Sequence, residues 1–168
     1  LTGIAFVLIY KEASSYSQLI IQLIFTSILI VIAYIDIDTM LIYDRFHIYI
    51  LALGLIDSFI NPETLKYRFL GAFVVSIPYF ILAKLTNGIG MGDVKLSFSG
   101  GFFLAYPNIV AAFIISIIIA GIHAVYLLLS KKVNMKSAVP FGPDLCIAFF
   151  LSMLYGNRII FWYLSLLF

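Results

Sequence analysis

Apolar residues run through this chain in long uncharged stretches, and the charged residues fall between them as punctuation. An ionised group at bilayer depth is costly, so charges gather at interfaces or in polar cavities, and the uncharged stretches read as membrane crossings. Residues 13–35 carry no charge and are dense in Ile and Leu, a pattern that predicts a helix of full bilayer length ending where Asp36 and Asp38 begin. A shorter apolar stretch, residues 46–56, follows Asp44 and Arg45 and closes near Asp57 and the Asn61-Pro62 turn. Residues 69–83 form the next candidate, ending at Lys84 and containing Pro78, which a transmembrane helix tolerates when its neighbours satisfy the freed carbonyl. The uncharged run between Lys95 and Lys131 is too long for one crossing, and Tyr106-Pro107-Asn108 is the expected break, giving a short helix from Asp93 and a long one to Leu129. Lys131, Lys132 and Lys136 then form a basic loop, residues 140–143 a rigid turn, and residues 145–155 a last apolar region interrupted by Gly156, Asn157 and Arg158. Residues 1–10 are apolar but too short to span, as the tail of a helix would be. The chain is therefore expected to be incomplete at its start, with no signal peptide visible.

Composition turns this pattern into a class. The chain has 168 residues, 64% of them hydrophobic and 11% charged, against roughly 45–50% apolar and about 25% charged in soluble domains. The expectation is an all-α fold, a polytopic transmembrane helical bundle of about six to eight membrane segments forming one integral-membrane domain over residues 1–168. A lipid bilayer is the expected surrounding. The net charge of +2 leaves no basic surface for a phosphate backbone, so nucleic acid is excluded as a partner. Cys146 is the only cysteine, which excludes an internal disulfide and a cysteine-rich zinc site; no metal is expected. Alternating the crossings places Arg45, Lys84, Lys95 and the basic loop on one face, read as cytoplasmic, and Lys11, Lys66, Arg68 and Arg158 on the other.

With so few charges, the carboxylates are informative. Asp36, Asp38 and Asp44 cluster at one predicted helix end, and Asp93 sits in a glycine-rich turn on the same predicted face. Two readings follow from spacing alone. In one, the cluster is a solvated loop and Asp93 caps the helix that follows it. In the other, Gly88, Gly90 and Gly92 strip side chains from the backbone before Asp93, allowing positive φ and the close approach of an extended peptide. A second acid nearby would then complete a dyad sharing one proton. His123, inside a long apolar helix, is expected to be buried and hydrogen-bonded, His47 to be interfacial, and Asp144 to occupy the first turn of a helix. The tyrosines and phenylalanines are expected mostly at lipid or in packing, and neither histidine has the partner pattern of a nucleophile triad.

Three stretches carry a resemblance: DIDTMLIYD at residues 36–44, GIGMGDVKL at residues 88–96 and PFGP at residues 140–143. In this order, between apolar spans, they resemble the type IV prepilin peptidase family, aspartic intramembrane proteases with a GxGD signature. The resemblance implies an endopeptidase that removes the basic leader from type IV prepilin or pseudopilin precursors at the cytoplasmic face of the bacterial inner membrane, cutting after a glycine just ahead of an apolar segment. It implies Asp36 and Asp93 as the catalytic aspartates. Gly90, Gly92, Lys95, Pro140, Phe141, Gly142 and Pro143 become the positions that bind substrate or shape the loops, with Lys95 expected at the interface. Asp38 and Asp44 match recurring acids outside the dyad. Tyr43 stands where family members commonly have proline, a departure that bears on the rigidity of the turn. Many bacterial members also carry a segment with paired cysteines, linked to methyl transfer from S-adenosylmethionine. No residue here is assigned to that reaction, and the expectation for these 168 residues is peptidase activity with no cofactor and no methyl transfer. A proton- or cation-coupled transporter or channel using the embedded carboxylates is the alternative from another class, and a noncatalytic membrane subunit a third.

Overall fold

A computed structural model describes residues 2–86, 90–130 and 140–167. The described residues form seven α-helices: α1 (Thr2–Glu12), α2 (Tyr16–Thr39), α3 (Asp44–Ile60), α4 (Leu65–Thr86), α5 (Met91–Leu104), α6 (Asn108–Leu129) and α7 (Gly142–Leu167), with a single 3-10 turn at Pro62–Thr64. Four stretches are long and apolar enough to cross a bilayer: Tyr16–Thr39, Pro62–Leu85, Asn108–Leu129 and Gly142–Leu166. The protein is an all-helical, multi-pass membrane protein. The expected six to eight segments are not reached by these four. A count of six needs α3 and α5 as well, whose 17 and 14 residues rise only about 25 Å and 21 Å against a hydrocarbon core of about 30 Å.

Several predicted boundaries move. Asp36 and Asp38 lie inside α2, which continues to Thr39, where Met40 adopts φ 52° and returns its N–H to the Asp36 carbonyl. Charge marked the neighbourhood of the helix end but not the end itself, because Asp36 is buried within the bundle. Similarly, Gly156, Asn157 and Arg158 do not interrupt the last apolar region; they are interior to α7. A Cβ at Gly156 would fall 2.6 Å from Ser152 Oγ and 2.7 Å from Asn108 Oδ1, so glycine there lets α7 pack closely on α6. Arg158 is accommodated because it extends to Glu12 on α1, with Nη2 2.8 Å from Oε2. The break after α5 falls where expected, at Ala105–Pro107. The basic loop of Lys131, Lys132 and Lys136 lies outside the described residues.

α5 is the centre of the bundle, packed against α3, α4 and α7. It carries Gly100, Gly101, Ser97 and Ser99, small residues that let neighbouring backbones approach. Gly71 of α4 and Gly101 of α5 meet so closely that a Cβ on either would overlap the other's carbonyl oxygen. Around this contact the core is apolar: Phe25 of α2 stacks on Phe103 of α5 with ring centroids 3.8 Å apart, and Ile32, Ile50, Leu96, Leu145 and Phe149 are fully enclosed. The consequence is positional. A short central helix surrounded by longer ones places its first turn, and Asp93 with it, against the ends of α2 and α7.

Candidate active site

Asp36 reaches the site from the last turns of α2, and the start of α7 comes to meet it. The Gly142 N–H donates to Asp36 Oδ2 at 3.0 Å, across 106 positions of sequence. Free N–H groups and the helix dipole make such an N-terminus favourable for a carboxylate. A Cβ at Gly142 would fall 2.6 Å from that same oxygen, so only glycine permits the approach. Phe141 sets the entry into α7 by packing its ring edge-on to Tyr79, 5.9 Å between centroids. Of the PFGP residues, Gly142 touches the carboxylate, Phe141 anchors, Pro143 faces a groove beside α1 and α2, and Pro140 leads in.

Asp93 lies in the first turn of α5, with its own N–H donating to the Gly90 carbonyl at 3.1 Å and the Gly90 backbone hydrogen-bonded to its carboxylate. The use of the glycines differs from expectation. Gly90 has φ −69°, and no glycine among the described residues has positive φ. Close approach is what they supply: a Cβ at Gly90 would stand 3.2 Å from Asp93 Oδ2, and one at Gly92 would stand 3.2 Å from Ile42. Gly88 lies outside the described residues.

The two carboxylates converge. Asp36 and Asp93 are 5% and 8% exposed, they act electrostatically on one another, and both act on Cys146 of α7. Each is met by a backbone N–H, and among the described residues neither is paired with a side-chain cation. Lys95 does not join them. Its Nζ lies 2.6 Å from Asp44 Oδ1 in an exposed pair, and that hydrogen bond, reinforced by the ammonium charge, holds the Asp44 carboxyl below the usual carboxylate range. Asp38 is exposed. Tyr43 has φ −72° and ψ 136°, the backbone that proline would impose, so the turn into α3 keeps its shape without proline.

Some neighbours were not legible in the sequence. Tyr79 is buried, bonds Ser116 Oγ at 3.1 Å and lies within electrostatic reach of Asp93; its position next to Pro78 was the only signal. His47 turns its ring into the bundle from the first turn of α3. It is 6% exposed, and among the described residues neither ring nitrogen has a hydrogen-bond partner. His123 is half-buried and bonded to Asp144 in the first turn of α7, 3.1 Å from Nδ1 to Oδ2. No cluster of metal-ligating side chains occurs among the described residues.

Fold and site together define a multi-pass helical membrane protein with a buried pair of carboxylates at one end of its bundle. Sequence comparison gives the family. The type IV leader peptidase family matches residues 23–125, a span that contains both Asp36 and Asp93, and the chain belongs to that family. It is similar to the prepilin leader peptidase/N-methyltransferase of Bacillus subtilis (strain 168), 31% identical over 151 residues, covering 89% of this chain and 61% of that protein. The protein of the same name from Legionella pneumophila is 32% identical over 158 residues, 88% of this chain and 54% of the relative. That from Aeromonas salmonicida (strain A449) is 29% identical over 150 residues, 85% and 52%. The chain thus spans between half and two thirds of the length of these relatives. No solved structure matches it.

Proposed function

We propose that this chain is an aspartic endopeptidase that cleaves the basic leader peptide from type IV prepilin or pseudopilin precursors at the cytoplasmic face of a bacterial inner membrane. The observation that carries the reading is the pairing of Asp36 and Asp93, buried at one bundle end and within electrostatic reach of each other. Two close carboxyl groups share one proton, so one is ionised while the other is neutral. The ionised member takes a proton from water as it attacks the scissile carbonyl, and the neutral member donates a hydrogen bond to the carbonyl oxygen. A tetrahedral intermediate then collapses with protonation of the leaving amine. Neither an acyl-enzyme nor a cofactor enters this scheme.

The family and the names of its relatives support the substrate class. Gly90, Gly92 and Gly142 support access, since they keep Cβ atoms away from the two carboxylates and from Ile42. Methyl transfer, which the relatives' name includes, is given no residue in this reading. Detergent-solubilised protein incubated with a prepilin should release the leader, and Asp36→Asn or Asp93→Asn should abolish release while each variant stays in the membrane fraction. Retained processing by either variant would refute the assignment.

A further inference from the structure

Among the described residues, the Gly142 N–H is the one hydrogen-bond donor to the Asp36 carboxylate, and little in the local chain holds that donor in place. The first bond within α7 runs from the Leu145 N–H to the Phe141 carbonyl at 3.1 Å. The N–H groups of Gly142 and Asp144 lie ahead of it, and Pro143 has none to offer. Gly142 cannot aim its own N–H by packing, because it has no side chain and a Cβ there would fall 2.6 Å from Asp36 Oδ2. Its direction is set by the residues on either side.

Both sides lead back to α6. Ahead of Gly142, the Phe141 ring packs on Tyr79 of α4, and the Tyr79 hydroxyl is bonded to Ser116 Oγ of α6 at 3.1 Å. Beyond it, Asp144 is buried, and its two oxygens lie 3.2 Å and 3.1 Å from Nδ1 of His123, also on α6. An ionised carboxylate only accepts, so the Nδ1 hydrogen is shared between the two oxygens. Ser116 and His123 are two helical turns apart and lie on one face of α6. The Asp144 tie is the more directional of the two, since a hydrogen bond to a carboxylate is about twice as strong as one between neutral groups. Taking Asp144 out of water costs desolvation that an apolar residue would avoid, and neither member of the pair is bonded to Asp36 or Asp93.

Resting on the peptidase reading, we propose that His123 is a positioning residue for the reaction: by holding Asp144 it fixes the first turn of α7 and aims the Gly142 N–H at Asp36. The tie acts two residues from the donor, on the one turn of α7 that meets the carboxylate. Asp36 keeps its place relative to Asp93 while that turn is held, so the effect falls on the chemical step and not on substrate binding.

The test uses the full chain in nanodiscs with an intact prepilin, with rates taken per folded molecule. His123→Leu should lower kcat about ten- to hundredfold, the range of a hydrogen bond to a charged group, with KM nearly unchanged. His123→Asn, whose amide N–H stands near the place of Nδ1, should recover most of that rate. His123→Leu combined with Asp144→Leu leaves no stranded charge and should show the same loss, which keeps the test open if the single variant fails to fold. On a Gly142→Ala background His123→Leu should cost nothing further, because the N–H that it aims is already displaced. Arg158→Met, which cuts the tie of α7 to Glu12 farther along the helix, should change neither constant. An unchanged kcat in His123→Leu, a loss carried by KM alone, or losses that multiply with Gly142→Ala would overturn the proposal, while cleavage by the unsubstituted chain leaves the peptidase reading intact. No cleavage by the unsubstituted chain would overturn both.

Discussion

The two ends of this bundle treat their carboxylates in opposite ways. At one end Asp57 of α3 is paired with Arg68 of α4, and the guanidinium makes further bonds to Thr64 Oγ1 at 3.0 Å, the Phe103 carbonyl at 2.7 Å and the Phe102 carbonyl at 3.3 Å. At the other, Asp36 and Asp93 lie within electrostatic reach of each other and receive backbone N–H groups. A cation fixes a carboxylate in its charged form and ties helices together. Backbone donors hold a carboxylate in place without contributing a full compensating charge. The first arrangement is suited to holding structure, the second to moving a proton. In the same chain, the acid that serves as scaffold and the acids proposed to react are told apart by what lies beside them.

Substitutions can break the contrast. The largest effect belongs to the reactive end: Asp36→Asn or Asp93→Asn should lower the cleavage rate by about 10²–10⁴-fold or more, the scale of general acid–base catalysis, with the unfolding midpoint little changed. Next comes the scaffold end, where Arg68→Met leaves Asp57 without its partner in a mostly buried setting and should destabilise the protein by about 3–5 kcal/mol. Adding Asp57→Leu should recover most of that loss, because the stranded charge is gone. Denaturation in detergent measures both, and cleavage per folded molecule should stay constant. Gly142→Ala should follow, costing about 1–3 kcal/mol in transition-state stabilisation by pushing the α7 N–H away from Asp36, read as a fall in kcat. The smallest effect is at the turn between α2 and α3. Tyr43→Pro should stabilise by about 0.4–1 kcal/mol, since its backbone already has a proline-compatible φ.

The same contrast explains what could be read in advance. Crossings were legible because bilayer thickness imposes length and hydropathy on any spanning helix, and the break at Pro107 because proline limits the residue before it. Motifs placed Asp36 and Asp93 as candidates, but not side by side; only the packing of α2, α5 and α7 joins positions so remote in sequence. Charge marks interfaces only until a charge finds a partner. Arg68 was assigned to the outer face by alternating the crossings, and nothing in the sequence tied it to Asp57, on the preceding long helix, or to carbonyls on α5. The burial of His47 was not legible for a related reason: its neighbours in sequence, Asp44 and Arg45, are exposed, while helical geometry turns its own ring inward. Glycines could be recognised as permissive, but whether they serve positive φ or close approach depends on atoms from other helices. Gly142 shows the point, since its neighbour is a carboxylate from α2.

The central claim, that Asp36 and Asp93 act as one unit, is tested most directly by a double-variant cycle on leader release. Cleavage of a prepilin would be timed with Asp36→Asn, Asp93→Asn and the combined variant in matched membranes. If the pair shares a proton in one reaction, each single change removes about as much activity as both together. Independent losses that multiply in the combined variant, or a single variant that still processes at the unsubstituted rate, would contradict it.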